Sequence, residues 1–121
     1  MNYETIRAYC LSKPATTEGL PFGPGTLVLK VADKMFALLP LDEPERLSVN
    51  LKCDPEKAEE LREAYPDAIL PGYHMSKKHW NTVLLNEGLQ HKLVQELIDH
   101  SYQLVVDSLP KKVREAMLLG Q

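Results

Sequence analysis

Residues 68–85, AILPGYHMSKKHWNTVLL, hold two apolar runs, AILPGYHM and HWNTVLL, on either side of a short polar centre carrying two lysines. Runs of this length that end at Pro, Gly and Ser read as strands, and so short a connection makes them an antiparallel pair. With Ser76 and Lys77 as the turn centre, Met75 opposes Lys78, His74 opposes His79, Tyr73 opposes Trp80 and Gly72 opposes Asn81. Side chains alternate faces along a strand, so this register puts Ile69, Tyr73, Trp80 and Leu84 on the core side. Gly72, His74, His79 and Asn81 then share the outer face, with Lys77 at the apex. Imidazoles directly across a ladder have Cβ atoms about 5 Å apart, within reach of a shared phosphate. His91 and His100 stand nine positions apart on a helix and do not complete a metal set, so neither metal nor cofactor is expected.

Upstream, TLVLKV and MFALLPL are β-rich runs joined through ADK, which demands a second hairpin, and LSVNLK alternates as a third strand with Leu47, Val49 and Leu51 facing inward. Between these strands and the 68–85 pair, DPEKAEELREAY carries Asp54 as N-cap, Pro55 in the first helical position and an apolar stripe of Ala58, Leu61 and Tyr65, with Pro66 as the stop. Tyr3, Ile6, Tyr9 and Cys10 at helical spacing after Asn2 make residues 3–12 a short helix. The stretch ATTEGLPFGPG, with three glycines and two prolines, reads as a shaped loop, with Gly23 and Gly25 in left-handed turn positions and Phe22 as an apolar plug. Downstream, apolar residues at 89, 93, 94, 97, 98, 104, 105 and 109 mark one long helix. A final helix follows from Ser108 as N-cap to Gly120. The order α-β3-α-β2-α-α predicts an α+β fold of two layers, with a five-stranded antiparallel sheet covered by helices on one face and open on the other.

At 121 residues, 44% apolar and 26% charged, the chain fits a single domain spanning residues 1–121. Its net charge of −3 excludes a global basic field. Charge is nevertheless segregated: residues 42–67 hold nine acids against four bases, whereas 1–41 and 68–121 each carry one more base than acid. Cys10 and Cys53 form no paired motif and read as buried thiols, and no apolar run approaches the ~20 residues of a membrane span. These features predict a cytoplasmic protein with no membrane partner. No nucleophile has a base and an orienting group beside it, so a non-enzymatic protein is expected. The glycines of EGLPFGPG are interrupted by Pro21 and Pro24, which removes the backbone donors a phosphate cradle needs.

The segments PFG, KMFALL, LK before a capped helix with LR, PGYHMSKKHWNTV, LIDHSYQLVV and LPKKVR together resemble the MmcQ/YjbR family of small bacterial proteins, from about Tyr3 to Arg114. The resemblance implies a CyaY-like or secretion-chaperone-like two-layer fold and a DNA-binding role through a double wing. Its wings on this chain would be the ADK turn with Lys30 and Lys34 and the MSKK turn with Lys77 and Lys78. The expected double-stranded DNA contacts are phosphate by Lys77, Lys78, His79 and His74, a base edge by Asn81, and an electrostatic rim from Lys30, Lys34, Lys111, Lys112 and Arg114. The alternative is a protein-interaction or chaperone-like module that binds a partner through its sheet face and acidic helix, or self-associates as a homodimer. Ser101 and Tyr102, in the long helix, read as structural, the tyrosine ring packing on the sheet and its hydroxyl finding a polar partner.

Overall fold

Asn2 accepts from Thr5 N (2.8 Å) and Thr5 Oγ1 answers from the Asn2 N–H (3.0 Å), a reciprocal cap that starts α1 (Tyr3–Leu11). The computed structural model of the chain describes residues 1–72 and 75–119. After α1 come β1 (Thr16–Gly19), β2 (Thr26–Val31), β3 (Lys34–Pro40), β4 (Ser48–Lys52), α2 (Pro55–Ala64), β5 (Ile69–Pro71), β6 (Trp80–Leu84), α3 (His91–Ser108) and α4 (Lys111–Leu119). The strands form one antiparallel sheet in the order β1-β2-β3-β4-β6-β5.

Among the described residues the sheet has six strands where the sequence predicted five. The Gly/Pro stretch is a loop only at 20–25; before it, the β-branched Thr16 and Thr17 extend along the free edge of β2, Thr16 opposite Val31 and Gly19 opposite Val28. Gly23 is left-handed at φ 97°, while Gly25 is not. Phe22 plugs nothing: 65% of it is exposed. Tyr65, placed by spacing in the α2 stripe, also lies exposed as the C-cap.

Asp54 caps α2 through Lys57 N, and Ala58 and Leu61 pack it on the core. The long helix buries Val94, Leu97, Ile98, Ser101, Tyr102 and Val105 on the same core. Ser108 does not cap α4; its hydroxyl donates to Val105 O and closes the last turn of α3. The predicted end of α4 at Gly120 lies outside the described residues. Between helices and sheet sits the main core, which includes Ile6, Cys10, Leu29, Val31, Phe36, Val49, Leu51, Ile69, Val83 and Ile98. Both thiols are buried, and burial pushes Cys10 up to about 12, so it stays protonated at neutral pH.

A bulge shapes the centre of the sheet. Leu29 opposes Ala37 but Lys30 opposes Met35, so Phe36 is an extra residue and both Phe36 and Ala37 turn toward the helices. The β3–β4 seam holds two register pairs, Ala37 with Leu51 and Leu38 with Asn50. At one end of it, Ser101 Oγ donates to Phe36 O (2.6 Å) and accepts from Lys52 N (2.9 Å). At the other, Tyr3 Oη donates to Pro40 O (2.6 Å) and accepts from Ser48 N (3.2 Å). Two helix-borne hydroxyls thus replace the missing ladder bonds. Tyr102 packs edge-on against Phe36 and donates to Pro14 O (2.5 Å), so this Ser-Tyr pair is structural, as its position suggested.

The face away from the helices is not fully open. Val28, Leu38 and Trp80 form a second apolar cluster there, with Met35 and Met75 packed against it. Ser48 and Asn50, which alternation points outward, are buried on this side.

The β2–β3 turn has Ala32 at φ 46° and Asp33 at φ 70°, the two left-handed residues of a tight hairpin turn. Alanine tolerates that conformation poorly. Ala32→Asn is therefore expected to raise unfolding stability by roughly 0.5–1 kcal/mol, read as a higher denaturation midpoint at unchanged slope.

Candidate nucleic-acid interface

Strand directions decide which turns can act together. Val31 pairs with Lys34, and β4 and β6 meet at Lys52 opposite Trp80, so the Ala32-Asp33 turn and the turn from Ser76 to His79 that leads into β6 lie at the same end of the sheet. Their strands β3 and β6 flank β4, about 10 Å apart at ordinary strand spacing.

Lys34 is exposed beside the first turn, and Lys30 lies half-buried on the face away from the helices. In the second segment Ser76 O accepts from His79 N (3.1 Å) and Trp80 N (2.9 Å), winding residues 76–80 into one helical turn. Cys53 N donates to His79 O (2.7 Å), and the Arg62 guanidinium donates to Lys77 O. The backbone of the turn is thereby clamped to β4 and α2 while the side chains of Lys77, Lys78 and His79 stand exposed.

That helical turn lengthens the connection beyond a two-residue hairpin, and the register differs from the predicted one by one residue. Pro71, not Gly72, opposes Asn81, and Gly72 N donates to Trp80 O (2.8 Å). A one-residue slip exchanges faces. Trp80 consequently lies in the cluster away from the helices, whereas Asn81 points toward them, 2% exposed, with Oδ1 accepting from Arg62 Nε (2.7 Å). Asn81 cannot reach a base edge. His74 and Tyr73 lie outside the described residues, so the paired-imidazole arrangement does too.

Lys111, Lys112 and Arg114 are exposed on α4, in the helical layer. Lys111 and Arg114 line a groove with Pro14, and Ala15 O accepts from Ala32 N, so these two stand on the helical side of the first turn. Lys111 lies 3.9 Å from Glu115. A residue outside the predicted set joins the tips: Lys52, opposite Trp80, projects on the same face as Lys30 and sits between the two turns. Strand alternation already pointed it outward. His100 is a structural acceptor for Asp54 N (3.2 Å), and burial holds its pKa below the ordinary value. Among the described residues no group of three His, Cys, Asp or Glu is positioned to hold a metal, and no helix is long and apolar enough to cross a membrane.

The architecture defines a class: a small α+β protein with an open antiparallel sheet backed by helices and two lysine-bearing turns at one sheet end. The model of the YjbR family matches residues 11–104. The chain belongs to the YjbR family. It is 39% identical over 118 residues to the uncharacterized protein YbdF of Escherichia coli O157:H7, covering 98% of this chain and 95% of that one. To the uncharacterized protein YjbR of Escherichia coli strain K12 it is 34% identical over 118 residues, covering 98% of each. Among solved structures, Deinococcus radiodurans DR2400, a DUF419 domain, superposes with a TM-score of 0.90 at 39% identity, over 96% of this chain and 87% of that one. A Pseudomonas syringae protein superposes at 0.70 with 33% identity, over 86% and 98%.

Proposed function

We propose that the protein binds double-stranded DNA, its two turns contacting backbone phosphates as a double wing on a CyaY-like scaffold, and that it acts by binding rather than by catalysis. The observation that carries this reading is the gathering of Lys30, Lys34, Lys52, Lys77 and Lys78 at one sheet end, with no ion-pair partner for any of them among the described residues. Cations free of internal partners are available to release counterions from a duplex. The formal charge of −3 is no obstacle, because the acids of α2 lie exposed along a helix and the contact is local. Lys111 and Arg114 extend the rim on the helical side, and His79 adds a donor at the second tip. With Asn81 buried, the reading is one of phosphate contact and little base discrimination.

The test is a salt titration of binding to random duplex DNA. Replacing Lys77 and Lys78 with alanine is expected to weaken binding uniformly across sequences and to lower the slope of log K against log salt by about two units. An unchanged slope removes these residues from the interface. Failure of the wild-type chain to bind duplex DNA or heparin at low salt, together with concentration-dependent dimerisation, would transfer the function to protein association.

A further inference from the structure

Asn81 is out of keeping with its strand. All five residues of β6 are buried, and Asn81 places a primary amide among them whose Nδ2 has no hydrogen-bond partner among the described residues. A buried donor left in this way lowers stability, so packing alone does not account for the residue. Its other polar atom does the binding. Oδ1 accepts from Arg62 Nε (2.7 Å), and the same guanidinium donates through Nη2 to Lys77 O. Arg62 stands half-buried in the last turn of α2, with Glu59 a turn before it, yet it makes no ion pair among the described residues. Its planar fork bridges a strand and a turn instead. The far end of that turn is held separately, Cys53 N donating to His79 O (2.7 Å). The carbonyl of Lys77 is therefore fixed on the helical side while its ammonium and that of Lys78 stand in solvent.

We infer that Arg62, aimed by Asn81, is the positioning residue of the second lysine-bearing turn, setting where Lys77 and Lys78 stand without itself meeting a ligand. The consequence for binding rests on the proposed phosphate contact; the clamp rests on the two hydrogen bonds of Arg62 alone. Lysine at position 62 keeps the charge but has a single nitrogen and no fork, so it cannot serve both oxygens. Leucine at position 81 keeps the branching of asparagine and removes both polar atoms, the acceptor that aims Arg62 and the stranded donor together.

Limited trypsin digestion of the full chain, with cleavage after Lys77 and Lys78 read from fragment masses, reports how often the turn opens. Arg62→Lys and Asn81→Leu are each expected to raise that cleavage about tenfold, the effect of losing one hydrogen bond to a charged group. Asn81→Leu should do so at an unchanged or higher urea midpoint, because the stranded donor leaves with the amide. Both variants keep Lys77 and Lys78, so affinity for random duplex DNA should fall about tenfold with the salt slope unchanged, unlike the double lysine variant. Cleavage at the wild-type rate in either folded variant overturns the inference. So does extra cleavage matched by a lower midpoint in both, which would make the opening global, or a lower salt slope in Arg62→Lys, which would put Arg62 on the phosphates. Should Asn81→Leu fail to fold, Arg62→Lys decides. Failure of the wild-type chain to bind duplex DNA removes the DNA reading, and the digestion then decides the clamp on its own.

Discussion

Replacing Ser101 with alanine is expected to lower the unfolding free energy by about 3 kcal/mol, with the fold retained. The hydroxyl is fully buried and serves two backbone groups that the interrupted seam leaves without a ladder partner, Phe36 O and Lys52 N. Alanine deletes both bonds at once, and each backbone group stranded in the core costs about 1–3 kcal/mol. The better helix propensity of alanine returns only about 0.5 kcal/mol. No cavity large enough to admit a compensating water opens, because the lost group is a single oxygen. Urea unfolding should show a lower midpoint at an unchanged slope. A loss under about 1 kcal/mol would mean that the seam closes on itself, β3 and β4 pairing directly once the hydroxyl is gone. On the proposed DNA-binding reading the position matters because Lys52 stands between the two lysine-bearing turns and its backbone is held by this bond.

The helices were legible because their signals are local: Asn2 and Asp54 cap, Pro55 opens, and the apolar stripe of α3 is unbroken except at Ser101. That polar residue on the buried face is itself the mark of the seam, yet its partners, Phe36 and Lys52, are far away in sequence and no spacing rule connects them. The edge strand β1 was illegible for a different reason. Its pairing is non-local, and neighbouring glycines and prolines outweighed two threonines. The tip lysines were found because charged turn residues are exposed in nearly any register. Asn81 was misassigned because all five residues of β6 are buried, so its alternation cannot say which side the helices occupy. The deciding information lay in the connection, where the 76–80 helical turn adds length that composition does not announce.

Gly72 records that register in a form that mutation can read, and Gly72→Ala is expected to destabilise the protein by about 2–3 kcal/mol. A Cβ at this position would lie 2.7 Å from Trp80 Cβ and 2.9 Å from Trp80 O, distances at which something must move. The obstacle is backbone and the root of a packed indole, neither of which can swing aside. The glycine is needed for closeness rather than for an unusual backbone angle, since its φ is not left-handed. The Gly72 N–H donates to Trp80 O, so the methyl group would push apart the very strands this bond joins. Trp80 is the sole tryptophan, and it should lose burial against Val28 and Leu38, giving red-shifted emission alongside the lower denaturation midpoint. On the proposed DNA-binding reading, because the segment bearing Lys77 and Lys78 follows this point in the chain, the variant should also bind duplex DNA less tightly without a change in salt slope, the lysines being present but less well held. Alanine accepted at a cost below about 0.5 kcal/mol, with unshifted emission, would mean that Gly72 does not face Trp80 and would restore the pairing in which the indole turns toward the helices.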